Sequence, residues 1–143
     1  MVKKKVSLPS DRALQVGPPT SVVLATCLSP DGRPNIITLG MYMPISANHP
    51  LITIGVSPRR HSHRLIEETK EFVINVPSKN LVRQTILCGS ASGREHDKFV
   101  EAGLTPIPAA KVKPPLIKEC VSNLECKVVA SYVCRGDHGS SCR

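Results

Sequence analysis

The stretch SPDGRP, residues 29–34, sets an Asp-Gly pair between two apolar runs, SVVLATCL (21–28) and NIITLGMY (35–42). Asp-Gly takes the positive φ values that a tight hairpin needs, so the two runs fold back on each other as antiparallel strands. A chain that opens this way is not building an alternating βαβ sheet, whose parallel strands need long crossover connections. No Gly-x-Gly-x-x-Gly follows the first strand, which also excludes a Rossmann dinucleotide site.

The later pattern extends this start with short helices. A loop containing Pro44, Asn48 and Pro50 leads to LITIGV (51–56), a third strand, and HRLIEET (63–69) places Leu65, Ile66 and Thr69 on one helical face. EFVINVP (71–77) is a fourth strand closed by proline. KNLVRQTILCG (79–89) carries Leu81, Val82, Thr85 and Ile86 on one stripe and ends in Gly89, a C′ cap. After the flexible GSASG (89–93), REHDKFVEAG (94–103) is a short helix stopped by glycine. TPIPAAKVKPPLIKEC (105–120) is extended and rich in proline, fit only for edge pairing, and LECKVVASYVC (124–134) is a last strand before the polar RGDHGSSCR. There are no internal repeats. The order suits a mainly β fold, a small antiparallel barrel with peripheral helices.

At 143 residues the chain is one domain with room for a hydrophobic core. No run reaches the ~18 apolar residues of a membrane span. MVKKKVSLPSDR has basic residues without an apolar h-region, so it is no secretory signal and the expected location is cytoplasmic. The formal charge of +8 raises nucleic acid as a partner. Binders of single strands stack bases on aromatic rings, however, and only Phe72, Phe99, Tyr42 and Tyr132 are available. Apart from Lys3–Lys5 and residues 57–64 the cations are scattered, so nucleic acid is not expected. The cysteines at 27, 88, 120, 126, 134 and 142 form no C-x-x-C pair, and His49, His96 and His138 have no ligand-spaced partners. No metal site is expected. Most of these thiols read as small buried apolar residues, Cys88 among them, with Cys142 in the tail the exposed one.

SPRRHSHRLI (57–66) breaks a rule. It crowds arginines and histidines where a helix begins, at the positive end of the macrodipole, and Glu67–Glu68 arrive only afterwards. Either the segment is a solvated turn, or an anion belongs there. A phosphate fits the second reading: N–H groups at a helix start point at it, and arginine offers a planar fork to its oxygens. Ser62 serves as an N-cap or as a phosphate donor. No catalytic triad or carboxylate pair can be assembled from the sequence.

The ordered series PPTSVVLATC, DGRPNIITLGMYMPIS, ANHPLITIGVSPRRHSHRLI, EFVINVP, CGSASGREHDKF, GLTPIP and PLIKECVSNLEC resembles the flavin-reductase-like family of FMN-binding split barrels, flavoredoxin-type proteins included. The resemblance runs from about Pro18 to His138. It implies one FMN-binding domain over residues 1–138, an antiparallel split β-barrel whose closing C-terminal strands are missing, followed by a polar tail at 139–143. It also implies non-covalent FMN at a homodimer interface. NADH or NADPH is the implied reductant, and a redox protein a possible acceptor.

Carried onto this sequence, the resemblance assigns Met43, Pro44, Ile45 and Ser46 to the flavin ring and ribityl chain. Gly55, Val56 and Ser57 give further contacts, while Arg59, Arg60, His61 and Ser62 grip the phosphate. Cys88, Gly89, Ser92 and Gly93, with Asp97, Lys98 and Phe99 behind them, cover the flavin. Met43 is the methionine placed beside the ring and Met41 the one placed in the core. An empty list of catalytic side chains agrees with a flavoprotein, whose cofactor carries the hydride chemistry. Three readings follow: a nicotinamide-dependent oxidoreductase, an electron-carrier module without nicotinamide activity, and an inactive shortened fragment.

Overall fold

The computed structural model describes Pro9 and residues 17–133. Lys3–Lys5, Cys134, His138, Cys142 and the expected tail at 139–143 lie outside the described residues.

The Asp-Gly hairpin forms as the sequence requires. Strands β1 (Val23–Leu28) and β2 (Pro34–Leu39) pair antiparallel from Val23↔Leu39 to Leu28↔Pro34. In the turn, Gly32 adopts φ +85° and its N–H donates to the Ser29 carbonyl at 2.8 Å. Glycine meets that left-handed geometry without a Cβ penalty.

Two further strands complete the main sheet. β5 (Glu71–Val76) pairs with the other side of β1, and β8 (Ser122–Lys127) pairs with β5, giving the antiparallel order β2-β1-β5-β8. Side chains alternate across a strand, and here they alternate between two cores. Val23, Ala25, Cys27, Ile37, Leu39, Phe72 and Ile74 pack on one face, under helix α1 (His61–Thr69) and the hairpin of β3 (Tyr42–Ser46) with β4 (Leu51–Ile54). Leu24 and Ile36 point the other way, toward α2 (Val82–Ser90), α3 (Lys98–Ala102) and the short ladder of β6 (Pro106–Ile107) with β7 (Leu116–Ile117). Burial on both faces explains why β1 and β5 read as continuous apolar runs instead of alternating ones. Asn75 is fully buried between the layers. Its amide donates to the Leu24 and Val73 carbonyls and to Thr26, and its oxygen accepts from the Ile117 N–H and from Asn123.

The structure corrects several sequence expectations. The second run stops at Leu39, and Tyr42–Ser46, expected to be partly loop, is a strand of its own. Pro44 disguised it, because proline lacks the ladder N–H. β3 tolerates it as an edge strand bonded only to β4, with an irregular register between Pro44 and Ser46. Met41 is 41% exposed and not core. The stripe expected of residues 79–89 is also overturned. Lys79–Leu81 is a 3₁₀ turn, Val82 and Ile86 are 55% and 64% exposed, and α2 buries Cys88 instead. Gly89 lies inside that helix and does not cap it. A side chain there would press within 3.2 Å of Thr38, so glycine lets α2 lie close on β2. Gly103 does stop α3, with φ +61°. Among the described residues the strands do not close into a barrel, and the outer edges of β4 and β8 carry no further strand.

Candidate functional site

α1 begins at His61, two residues earlier than its apolar pattern suggests. Arg60 is the N-cap, with extended backbone (φ −78°, ψ 140°) and no side chain satisfying the first turn. The Arg60 N–H donates to the Ser57 carbonyl at 2.9 Å, which fixes the entry of the chain into the helix. Ser62 is therefore not the N-cap. It is the second helical residue, buried, and its hydroxyl accepts from the Asn35 amide at 2.8 Å. The open first turn keeps its orphan N–H groups and the positive end of its dipole.

Opposite this helix start lies the loop after α2. Between them is a cavity of about 190 Å³ bordered by Arg59, Arg60, Ser62, Ser92, Arg94 and Lys98, with His61, Cys88, Gly89 and Gly93 also in its wall. No carboxylate borders it. Among the described residues Arg59, Arg60 and Arg94 form no salt bridge. Exposed arginines without carboxylate partners around a concave wall leave a local excess of positive charge.

Two titrating groups register that excess. Burial, then the positive charges of Arg94, Arg64, Arg33 and Lys98, push His61 below the usual histidine range, and its Nδ1 is buried without a partner. Lys98 is 4% exposed, and its ammonium donates to the Ile36 and Cys88 carbonyls at 2.8 and 2.9 Å. Burial holds its pKa below the ordinary lysine value; the nearby thiols of Cys88 and Cys27 oppose that shift and the charge of Arg60 adds to it. Lys98 is a charged post tying α3 to α2 and β2 behind the cavity.

The four cysteines among the described residues are not nucleophiles in waiting. Burial pushes the Cys27 thiol up to about 11 and raises Cys88, and Cys120 and Cys126 are also pushed up to about 11. A thiol so raised carries almost no thiolate at neutral pH.

A smaller hollow of about 80 Å³ adjoins the cavity through Arg60 and Gly89 and is walled by Met41, Gly55, Val56 and Ser57. Gly55 allows a close approach there. Its N–H donates to the Met41 carbonyl at 2.9 Å, and a Cβ would sit 3.0 Å from that of Met41. On the other side, His61, Gly93 and Arg94 are shared with a third cavity of about 180 Å³. The arginine cavity thus adjoins both other hollows.

Twelve of the residues singled out in the sequence thus converge on two adjoining hollows, Gly55, Val56 and Ser57 on the smaller and the Arg59–Ser62, Cys88–Gly89, Ser92–Gly93 and Lys98 groups on the larger. Met43, Pro44, Ile45 and Ser46 are not brought there. They lie on β3, with Met43 and Ile45 exposed and the Ser46 hydroxyl donating to the Asn48 carbonyl. Arg94 and Asn35 were missed. Arg94 directly follows the GSASG loop and could have been read from that position, whereas nothing local marks Asn35 at the start of β2. His96, read as unpaired, meets Glu101 at 3.0 Å. No helix among the described residues is long and apolar enough to cross a membrane.

The sequence model of the flavin reductase like domain matches residues 17–140. An uncharacterized protein of Archaeoglobus fulgidus is 39% identical over 106 residues, covering 74% of this chain and 59% of its own length. The chain thus spans well under two thirds of that relative. Among solved structures, flavoredoxin of Desulfovibrio vulgaris (Miyazaki F) superposes with a TM-score of 0.85 at 26% identity, covering 99% of this chain and 73% of that one. Flavoredoxin from Methanosarcina acetivorans gives 0.84 at 27%, with the same coverage.

Proposed function

The chain belongs to the flavin reductase-like family, and from that membership we propose that it binds FMN with the phosphate in the arginine cavity and acts as a flavoprotein oxidoreductase. The observation that carries the reading is the uncapped start of α1, which brings Arg59 and Arg60, set against Arg94 across a cavity without a carboxylate, the three arginines unpaired among the described residues. These residues fit a phosphate dianion: arginine forks and helix N–H groups supply donors, and buried Lys98 adds fixed charge. At about 190 Å³ the cavity is smaller than the ~300–1,000 Å³ of sites that enclose a whole drug-sized ligand, so it suits one end of the cofactor. The ribityl side then follows the adjoining hollow along Gly55, Val56 and Ser57, whose small side chains leave backbone within reach. Met43, Pro44, Ile45 and Ser46 lie on β3 outside these hollows, and the reading assigns them no contact with the phosphate end.

When bound, the flavin accepts and returns hydride equivalents; the chain's own work is to hold and orient it. Arg59, Arg60 and Arg94 neutralise the phosphate. Ser62 and Ser92 border it with hydroxyls, and Asn35 fixes the position of Ser62. NADH or NADPH is the proposed reductant. A homodimer would cover exposed apolar side chains such as Met43 and Ile45 on β3 or Val82 and Ile86 on α2. Sedimentation of the flavin-loaded chain as a monomer would count against that dimer.

Flavin fluorescence titration tests the binding. Arg60→Ala is expected to weaken FMN about 10- to 100-fold, the worth of one charge-assisted phosphate contact, with riboflavin unaffected. Equal loss for riboflavin, or no loss for FMN, refutes the phosphate assignment. Anaerobic mixing with NADH or NADPH then separates an oxidoreductase, whose flavin bleaches, from a carrier, whose flavin stays oxidised.

A further inference from the structure

The proline-rich segment between α3 and β8 is tied to the main sheet in an unusual way. Pro106, Pro108, Pro114 and Pro115 lack the ladder N–H, and the segment pairs with itself only through the two-residue strands β6 and β7. Between those strands, four successive N–H groups turn instead to carboxylates on the sheet. Ala110 donates to Oε1 of Glu125 at 3.1 Å, while Lys111 and Val112 both donate to its Oε2, Val112 at 3.1 Å. Lys113 donates to Oε2 of Glu71 at 2.9 Å. Consecutive N–H groups closing on one anion make a backbone nest, and here a side chain of the same molecule fills it.

Both oxygens of Glu125 are thus committed as acceptors, so a proton on either would set an O–H donor against an N–H donor. The charged groups around it are Lys111 on the segment itself, Lys127 two residues along β8, and Glu71 on β5, whose Oε1 lies 3.8 Å from the Lys127 ammonium. Glu68 at the end of α1 and Lys113 share a hollow with Glu71. The Lys111 N–H above all, then those of Ala110 and Val112 and the charge of Lys111, hold the Glu125 carboxyl below the usual range against partial desolvation. A depressed carboxyl contributes stability above its unfolded value of about 4.3 and loses it as pH falls toward the folded value. The following stretch is anchored without charge. The Ile117 N–H donates to the Asn75 oxygen, the Thr26 hydroxyl donates to the Pro115 carbonyl, and Pro114 and Ile117 are buried.

We propose that Glu125 is a latch: ionised, it keeps residues 108–113 closed on the sheet, and neutralised, it lets them open as a unit while β1, β2 and β5 stay folded. Opening lifts Val112, which is 9% exposed in the closed form, and presents the Lys111–Val112 peptide bond to solvent and to proteases. Glu125 borders none of the three hollows beside α1, so the latch does not depend on the phosphate reading.

Hydrogen–deuterium exchange of the full chain, read by mass spectrometry and corrected for intrinsic rates, tests this. At neutral pH, Glu125→Gln keeps the shape and removes the charge. It should speed exchange in peptides covering residues 110–112 at least about tenfold, the worth of one charge-assisted hydrogen bond. Peptides from β1 and β5 should not change, and trypsin should cut after Lys111 faster by a similar factor. Glu119→Gln, whose carboxylate accepts only from the Thr105 N–H, should leave residues 110–112 as they are. In the unaltered chain the same amides should lose protection between about pH 5 and about pH 3 while β1 and β5 keep theirs. That arm decides the matter if Glu125→Gln does not fold. Unchanged exchange at 110–112 in folded Glu125→Gln overturns the latch, as does acid loss of protection there only together with β1 and β5.

Discussion

Gly93→Ala separates the three-dimensional account of this site from a purely local one. Gly93 has no left-handed φ, so an ordinary loop would accept alanine and gain about 0.4–1 kcal/mol from a stiffer unfolded chain. Here the new Cβ would overlap the Asn35 oxygen and stand 2.6 Å from its Cγ. Asn35 cannot swing out freely, because it is buried and its amide holds Ser62. Overpacking of this kind costs about 1–3 kcal/mol, and losing the Asn35–Ser62 hydrogen bond adds about 0.5–1.5 kcal/mol. After the entropy gain the net loss lies within about 0.5–4 kcal/mol, about 2 kcal/mol at the middle of these ranges. Urea denaturation followed by circular dichroism reads this directly. The decisive arm repeats the substitution in Asn35→Ala, where the obstructing amide is gone. There Gly93→Ala should cost less than about 0.5 kcal/mol, leaving a coupling of about 2 kcal/mol. The same cost in both backgrounds refutes the argument, because the glycine would then be answering to something other than Asn35.

Two further outcomes follow from buried polar groups. Asn75→Ala leaves the Ile117 N–H and the Thr26 hydroxyl region without their shared partner, so a loss of about 3–5 kcal/mol is expected in urea; less than about 1 kcal/mol would mean that water replaces it. His61 is held below the ordinary histidine pKa in the folded chain by burial and by its positive neighbours. As pH falls below the unfolded value of about 6.5, the unfolded state therefore takes up a proton that the native state resists. Stability of the flavin-free protein should drop on acidification through that region, and His61→Gln should flatten the profile; parallel profiles would show that His61 does not titrate as its surroundings require.

The elements that were legible were those set by neighbours in sequence. The Asp31–Gly32 turn, the glycine stop at Gly103 and the apolar runs of β1 and β5 depend on local dihedral freedom and on hydrophobic period. β3 was obscured because Pro44 is disfavoured in most strands, and only its edge position, pairing with β4 alone, makes it tolerable. The stripe on α2 misled for a related reason. Period alone does not tell which side of a helix finds a partner, and Cys88 with Gly89 made the contact while Val82 and Ile86 stayed in solvent.

For the site, the sequence by itself determined one half: cations packed at a helix start with no acidic residue in its first turn, a local electrostatic conflict readable in ten residues. Tertiary structure alone decided the other half. Arg94 arrives from the loop after α2, Lys98 is drawn inward by two carbonyls, and Asn35 reaches from β2 to set Ser62. These groups lie far apart along the chain, and their roles depend on distance and burial, which sequence spacing does not encode. Packing α1, α2 and α3 around β1 and β2 turned scattered charges into a cavity with one sign.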